Sequence, residues 1–126
     1  MVSIRPFLTV SHGKDAVEFY KAAFKANILN FFEISEGKIS AVLEIQGATF
    51  YVGHEEPENG NYAPGKQNNN SIRIILETQD ADALFVNAVN LGAQPICAMT
   101  TEEDWRIGKL MDPFGHIWEL GYPLNP

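Results

Sequence analysis

The chain carries one structural plan twice. Displaced against itself by 68 positions without a gap, the sequence sets Ser3-Ile4-Arg5 on Ser71-Ile72-Arg73 and Leu8 on Leu76. The same displacement sets Ile28 on Ile96, Ile39 on Ile107, Gly47 on Gly115 and Gly53 on Gly121. A repeated supersecondary unit of this size hides only part of its apolar surface by itself, so the two copies must share a core.

Both halves carry the same order of signals. In the first, Ile4 to Val10 reads as a strand, Ser11 as a helix cap, and Ala16, Val17, Tyr20, Ala23 and Phe24 as one helical face. Ile28 to Ile34, Ile39 to Ile45 and Ala48 to Gly53 follow as strands, separated by Ser35-Glu36-Gly37-Lys38 and Gln46-Gly47. In the second, Ile72 to Glu77 reads as a strand and Asp80 as the cap of a helix whose apolar face is Ala81, Leu84, Phe85, Ala88 and Leu91. Gly92 suits the end of that helix, and strands follow at Gln94 to Thr101, Trp105 to Met111 and His116 to Gly121. The expectation is an α+β chain with a single domain over 1–126, built from βαβββ modules at 1–54 and 71–126. The linker 55–70 is rich in Gly, Pro, Asn and Glu and lacks a hydrophobic period. Its length suits either a cover over a cleft or a plain connector.

A net charge of -7 argues against a nucleic-acid backbone or an anionic membrane as partner and favours encounter with cations. The lone Cys97 excludes an internal disulfide framework and a thiolate-rich metal site. Cys97 reads as a buried strand residue, with no basic cluster nearby to activate its thiol. No apolar run approaches a membrane span, and Met1 leads into a strand-like segment rather than a signal-peptide pattern, so the expected location is cytoplasmic.

The chain closes on Asp112-Pro113-Phe114-Gly115-His116-Ile117-Trp118-Glu119-Leu120. Asp, Pro and Gly at the first, second and fourth positions suit a type I turn, and the apolar residues beyond suit a strand. Glu119 shares its strand face with Ile117, while His116, Trp118 and Leu120 point the other way. A carboxylate there has to meet a cation, a metal, a ligand or water.

These tandem modules, with Phe19-Tyr20 late in the first helix, Asp80-Ala81-Asp82-Ala83 opening the second and the closing motif, resemble the vicinal oxygen chelate superfamily. This is the glyoxalase, bleomycin-resistance and extradiol-dioxygenase group. The resemblance implies sheets curled into a U-shaped cleft with helices outside, and a homodimer. It also implies four metal-ligand positions on the cleft floor, which fall here on Arg5, Tyr51, Arg73 and Glu119. Two of these are guanidiniums, which have no acceptor and repel a divalent ion, and Tyr51 is a poor substitute for a carboxylate or imidazole. Glu119 alone remains a good donor, where a catalytic metal takes about three protein ligands.

The cleft implied by the resemblance contains Arg5, Phe7, Thr9, Thr49, Tyr51, Arg73, Ile75, Glu77, Ile117 and Glu119, with Trp105 and Trp118 either stacking on a ligand at its mouth or belonging to the core. Glu119 and Glu77 can neutralise the two arginines and merely shape the cleft, or one arginine stays free to hold a ligand carboxylate or phosphate. Glu102, Glu103 and Asp104, with Glu55, Glu56 and Glu58, form either solvated loops or an acidic rim suited to a cationic, partly aromatic ligand. His12, His54 and His116 sit at strand ends or turns and share no face. The first reading is a metal-free binder of small molecules, homodimeric and without a cofactor, sequestering a bleomycin-like antibiotic as a resistance protein does. The alternative is a glyoxalase-like lyase or isomerase in which Glu119 serves as a general base or ligates zinc, nickel, manganese or iron. Whether the chain is an enzyme stays open on sequence, as does a structural dimer with an occluded cleft.

Overall fold

The computed structural model describes residues 1–65 and 70–125. Its elements run β1 (Phe7–Val10), α1 (Gly13–Phe24), β2 (Asn27–Ser35), β3 (Lys38–Ile45), β4 (Ala48–His54), β5 (Arg73–Glu77), α2 (Ala81–Asn90), β6 (Gln94–Glu102), β7 (Trp105–Met111) and β8 (Ile117–Pro123). The α+β class and the two tandem βαβββ modules are both present. One sheet has the order β1-β4-β3-β2, the other β5-β8-β7-β6. In each, the first strand runs parallel to the last and the remaining pairs are antiparallel. The ladders reproduce the sequence repeat: Phe7 lies opposite Tyr51, and Ile75 lies opposite Glu119.

Period-two alternation gives each sheet a core face and an open face. Leu8, Val10, Phe50 and Val52 of the first sheet are buried in the same cluster as Leu110, Trp118 and Leu120 of the second. Rings close the seam between modules. Trp118 lies 4.7 Å from Phe24, 5.6 Å from Tyr20 and 5.7 Å from Phe50, centroid to centroid. A single core therefore joins the halves, and the open faces look away from it.

A buried carboxylate ties the closing turn into that core. Asp112 is 1% exposed, and its Oδ1 accepts the backbone N–H groups of Phe114 and His116 at 2.9 and 3.0 Å. Its Oδ2 accepts Trp118 Nε1–H at 2.9 Å and the Tyr20 hydroxyl. The turn itself has the expected form, with Gly115 N–H donating to the Asp112 carbonyl at 3.1 Å and φ of 95° at Gly115. His116 Nε2 lies 2.8 Å from the Thr9 carbonyl, which can only accept, so that nitrogen carries the proton. The linker rests on this turn: Pro64 packs against Gly115, and Asn70 Nδ2–H donates to the Gly115 carbonyl at 2.6 Å.

Several local expectations are corrected. β1 and β5 begin at Phe7 and Arg73, so Ile4 and Ile72, expected as the first residues of their strands, lie ahead of them and are exposed, and Arg5 precedes its strand. Pro6 explains the late start of β1, because it has no N–H to give a ladder, though its carbonyl accepts from Tyr51 at 2.9 Å. The cap of α1 is His12 rather than Ser11, whose hydroxyl pairs with His12 Nδ1 at 3.1 Å. Cys97 is exposed on β6, an edge strand with little covering either face.

Candidate functional site

The open face of the second sheet is hollow. Ile75 and Glu77 on β5, Glu119 and Gly121 on β8, Trp105 and Ile107 on β7, and Glu102 and Glu103 at the β6–β7 turn enclose a cavity of about 730 Å³. Four of the residues expected from sequence, Ile75, Glu77, Trp105 and Glu119, thus come together. Ile107 and Gly121 join them without having been expected there, although the repeat marks both by pairing them with Ile39 and Gly53. Trp105 is 41% exposed and offers a ring to the cavity, whereas Trp118 belongs to the core.

Arg73 and Glu119 form an ion pair, Nε to Oε1, at 2.9 Å. Glu119 is the more enclosed partner. Glu77, the other carboxylate expected to neutralise an arginine, makes no ion pair among the described residues. Lys109 stands opposite Glu119 in the ladder and adds a second cation beside it.

The open face of the first sheet is organised differently. Arg5 meets no carboxylate among the described residues; its Nη1–H donates to the Tyr51 hydroxyl at 3.0 Å, and its Cζ lies 5.9 Å from the Tyr51 ring centroid. Phe7 stacks on Tyr51 with centroids 5.8 Å apart and planes 15° from parallel. Thr9 lies along β1 and Thr49 along β4 on the same side as Tyr51. Ile117 faces a separate cavity of about 320 Å³ at the seam, shared with Phe7, Ile72 and Ile74.

The four floor positions do not fit a divalent metal. Arg5 is bound to Tyr51, Arg73 covers the one good donor, and both arginines bring positive charge where an ion would sit. Among the described residues, no group of three or more His, Cys, Asp or Glu side chains is placed to hold a metal ion. No described helix is long and apolar enough to cross a membrane.

Two βαβββ modules with parallel outer strands, a shared core and hollow open faces define a class of scaffold, and known proteins place it. No family model matches the sequence. An uncharacterised protein of Mycobacterium bovis is 34% identical over 129 residues, covering 98% of this chain and 84% of its own length. The structure of TioX from Micromonospora sp. ML1 superposes with a TM-score of 0.74 at 19% identity, covering 96% of this chain and 95% of that one. A glyoxalase/bleomycin resistance protein/dioxygenase family enzyme from Burkholderia phytofirmans PsJN gives 0.72 at 15% identity, over 94% and 95% of the two chains. The fosfomycin resistance protein FosX from Listeria monocytogenes, solved with Mn(II) and sulfate, gives 0.68 at 15% identity, over 97% and 93%. This chain is of one family with that mycobacterial protein, and its fold is that of the glyoxalase/bleomycin resistance protein/dioxygenase-type structures, the fold that the resemblance implied.

Proposed function

We propose that this chain binds a small organic molecule on the open face of its second module without a metal, and that it does so as a homodimer. The Arg73–Glu119 ion pair carries the reading, because it occupies the one floor position that retains a metal-type donor. Beside it lies a cavity within the size range of ligand pockets, apolar at Ile75, Trp105 and Ile107 and acidic at Glu77, Glu102, Glu103 and Glu119. A bleomycin-like glycopeptide, cationic and partly aromatic, is the most concrete ligand, and sequestration alone serves resistance.

Dimerisation is supported by β2. It is an edge strand, yet Leu29, Phe32 and Ile34 are 54%, 61% and 70% exposed, with Ile28 and Phe31 also open. An apolar edge uncovered on both faces invites association, and a second copy covers it.

Metal analysis of the purified protein tests the first claim, with substoichiometric metal expected. Stoichiometric zinc, nickel, manganese or iron that disappears in Glu119→Gln overturns it. Calorimetric titration with bleomycin is expected to give heat at micromolar drug; a flat titration removes that ligand. Sedimentation is expected to show a dimer that Phe32→Lys splits, and a monomeric wild type removes the dimer.

A further inference from the structure

Among the described residues, three other than glycine hold a positive φ: Lys25 at 60°, Gln46 at 50° and Glu103 at 52°. An L side chain adopts that conformation only under strain. Lys25 ends α1 in the left-handed cap, where such a φ closes the helix. The side chain of Gln46 is engaged: its Nε2–H donates to Asp80 Oδ2 at 3.1 Å and its Oε1 accepts from the Thr78 hydroxyl at 3.3 Å, joining the β3–β4 turn to the second module. Glu103 has no such partner. It takes part in no ion pair or side-chain hydrogen bond among the described residues, and it lines the cavity of about 730 Å³.

Glu103 and Asp104 alone connect β6 to β7, with Glu102 and Trp105 facing each other across the ladder. A positive φ at the first loop residue of such a hairpin is the place of glycine. The matching hairpin of the first module, Glu36-Gly37 between β2 and β3, puts its φ of 77° on a glycine. At the cavity the chain carries a carboxylate instead. The C-terminal tail holds that turn in place, with Leu124 N–H donating to the Asp104 carbonyl at 2.7 Å and Asn125 Nδ2–H to Asp104 Oδ1 at 3.3 Å.

We propose that Glu103 is the specificity-determining residue of the cavity, its strained turn holding an unpaired carboxylate at the rim to accept N–H groups from a positively charged nitrogen of the ligand. The inference rests on the small-molecule reading above and assigns its charge recognition to one residue. Glu119 on the floor is taken by Arg73, and Glu77 sits in a regular strand that needs no strain to place it. Relaxing the turn with a glycine would remove the carboxylate from the rim. Stability and binding are therefore opposed at this position.

Thermal unfolding tests this together with calorimetric titration of bleomycin, of benzamidine and of its neutral isostere benzamide. Glu103→Gly is expected to raise the melting temperature by about 2–4 °C and to weaken bleomycin by about fivefold. Glu103→Gln is expected to keep the wild-type melting temperature, to weaken bleomycin equally and to abolish a preference of about fivefold for benzamidine over benzamide. Glu36→Gln, which removes the same charge at the matching hairpin, is expected to leave binding unchanged. An unchanged or lower melting temperature for Glu103→Gly, or a loss below about twofold in Glu103→Gln, overturns the assignment. If bleomycin binds wild type and Glu103→Gln alike, the assignment falls and the binding reading stands. If bleomycin gives no heat, the benzamidine preference decides, and equal affinity for benzamidine and benzamide overturns the assignment. If neither bleomycin nor benzamidine binds the wild type, both fall.

Discussion

The Tyr20 hydroxyl on α1 donates to Asp112 Oδ2 in the closing turn at 2.5 Å, joining the two modules through a bond sealed from water. Four donors converge on that carboxylate, so its charge is held by hydrogen bonds rather than by an ion pair. Tyr20→Phe removes one donor and is expected to cost about 1–3 kcal/mol in urea unfolding. Asp112→Ala strands all four donors and is expected to cost more, about 3–5 kcal/mol. An Asp112→Ala protein as stable as wild type would rule out this turn as the join.

Alkaline pH reads the same contact. Burial, then the neighbouring Asp112 charge and its hydrogen bond, push the Tyr20 hydroxyl well above its usual value. The folded state keeps the proton where the unfolded chain, with a tyrosine value of about 10, releases it. Stability is therefore intact below about pH 10 and falls as pH rises further. Tyr20→Phe is expected to flatten that decline. Unfolding curves between about pH 9 and 11 of equal slope in both proteins would contradict it.

Arg73 and Glu119 are unequal partners, with side-chain exposures of 53% and 14%. Arg73→Met leaves an enclosed carboxylate without its guanidinium, whereas Glu119→Gln keeps a neutral acceptor. The arginine substitution is expected to be the more destabilising, by about 1 kcal/mol, with a positive coupling in the double-mutant cycle. Independent, additive losses would show that the pair does not act as a unit.

The two repeat-related glycines respond differently to a methyl group. On Gly53 it meets the exposed tip of Phe7, which can move; on Gly121 it meets the backbone of Arg106. Gly121→Ala is expected to lower stability by about 1–3 kcal/mol and Gly53→Ala by less, in thermal unfolding.

The repeat makes the module order and the pairing of floor positions legible in the sequence, because the 68-residue displacement that sets Arg5 on Arg73 also matches the ladders at Phe7–Tyr51 and Ile75–Glu119. Glu119 is expected to meet Arg5 or Arg73, and it meets Arg73. What alternation does not reveal is which strand face another element covers. Ile4 and Ile72 have the composition of core residues but lie before their strands, and Cys97 sits on an edge. Asp112 is legible only as a turn former; its carboxylate serves the core because Tyr20 and Trp118 converge on it from elements far apart in sequence.

That separation has a consequence for synthesis. Tyr20 and Asp112 lie 92 residues apart, and Trp118, the ring that seals the seam, comes later still. The first half can assemble its sheet as it leaves the ribosome, but the apolar side of α1 waits for the closing turn. A chain truncated before Asp112 is therefore left with an open aromatic surface that chaperones and proteases can recognise.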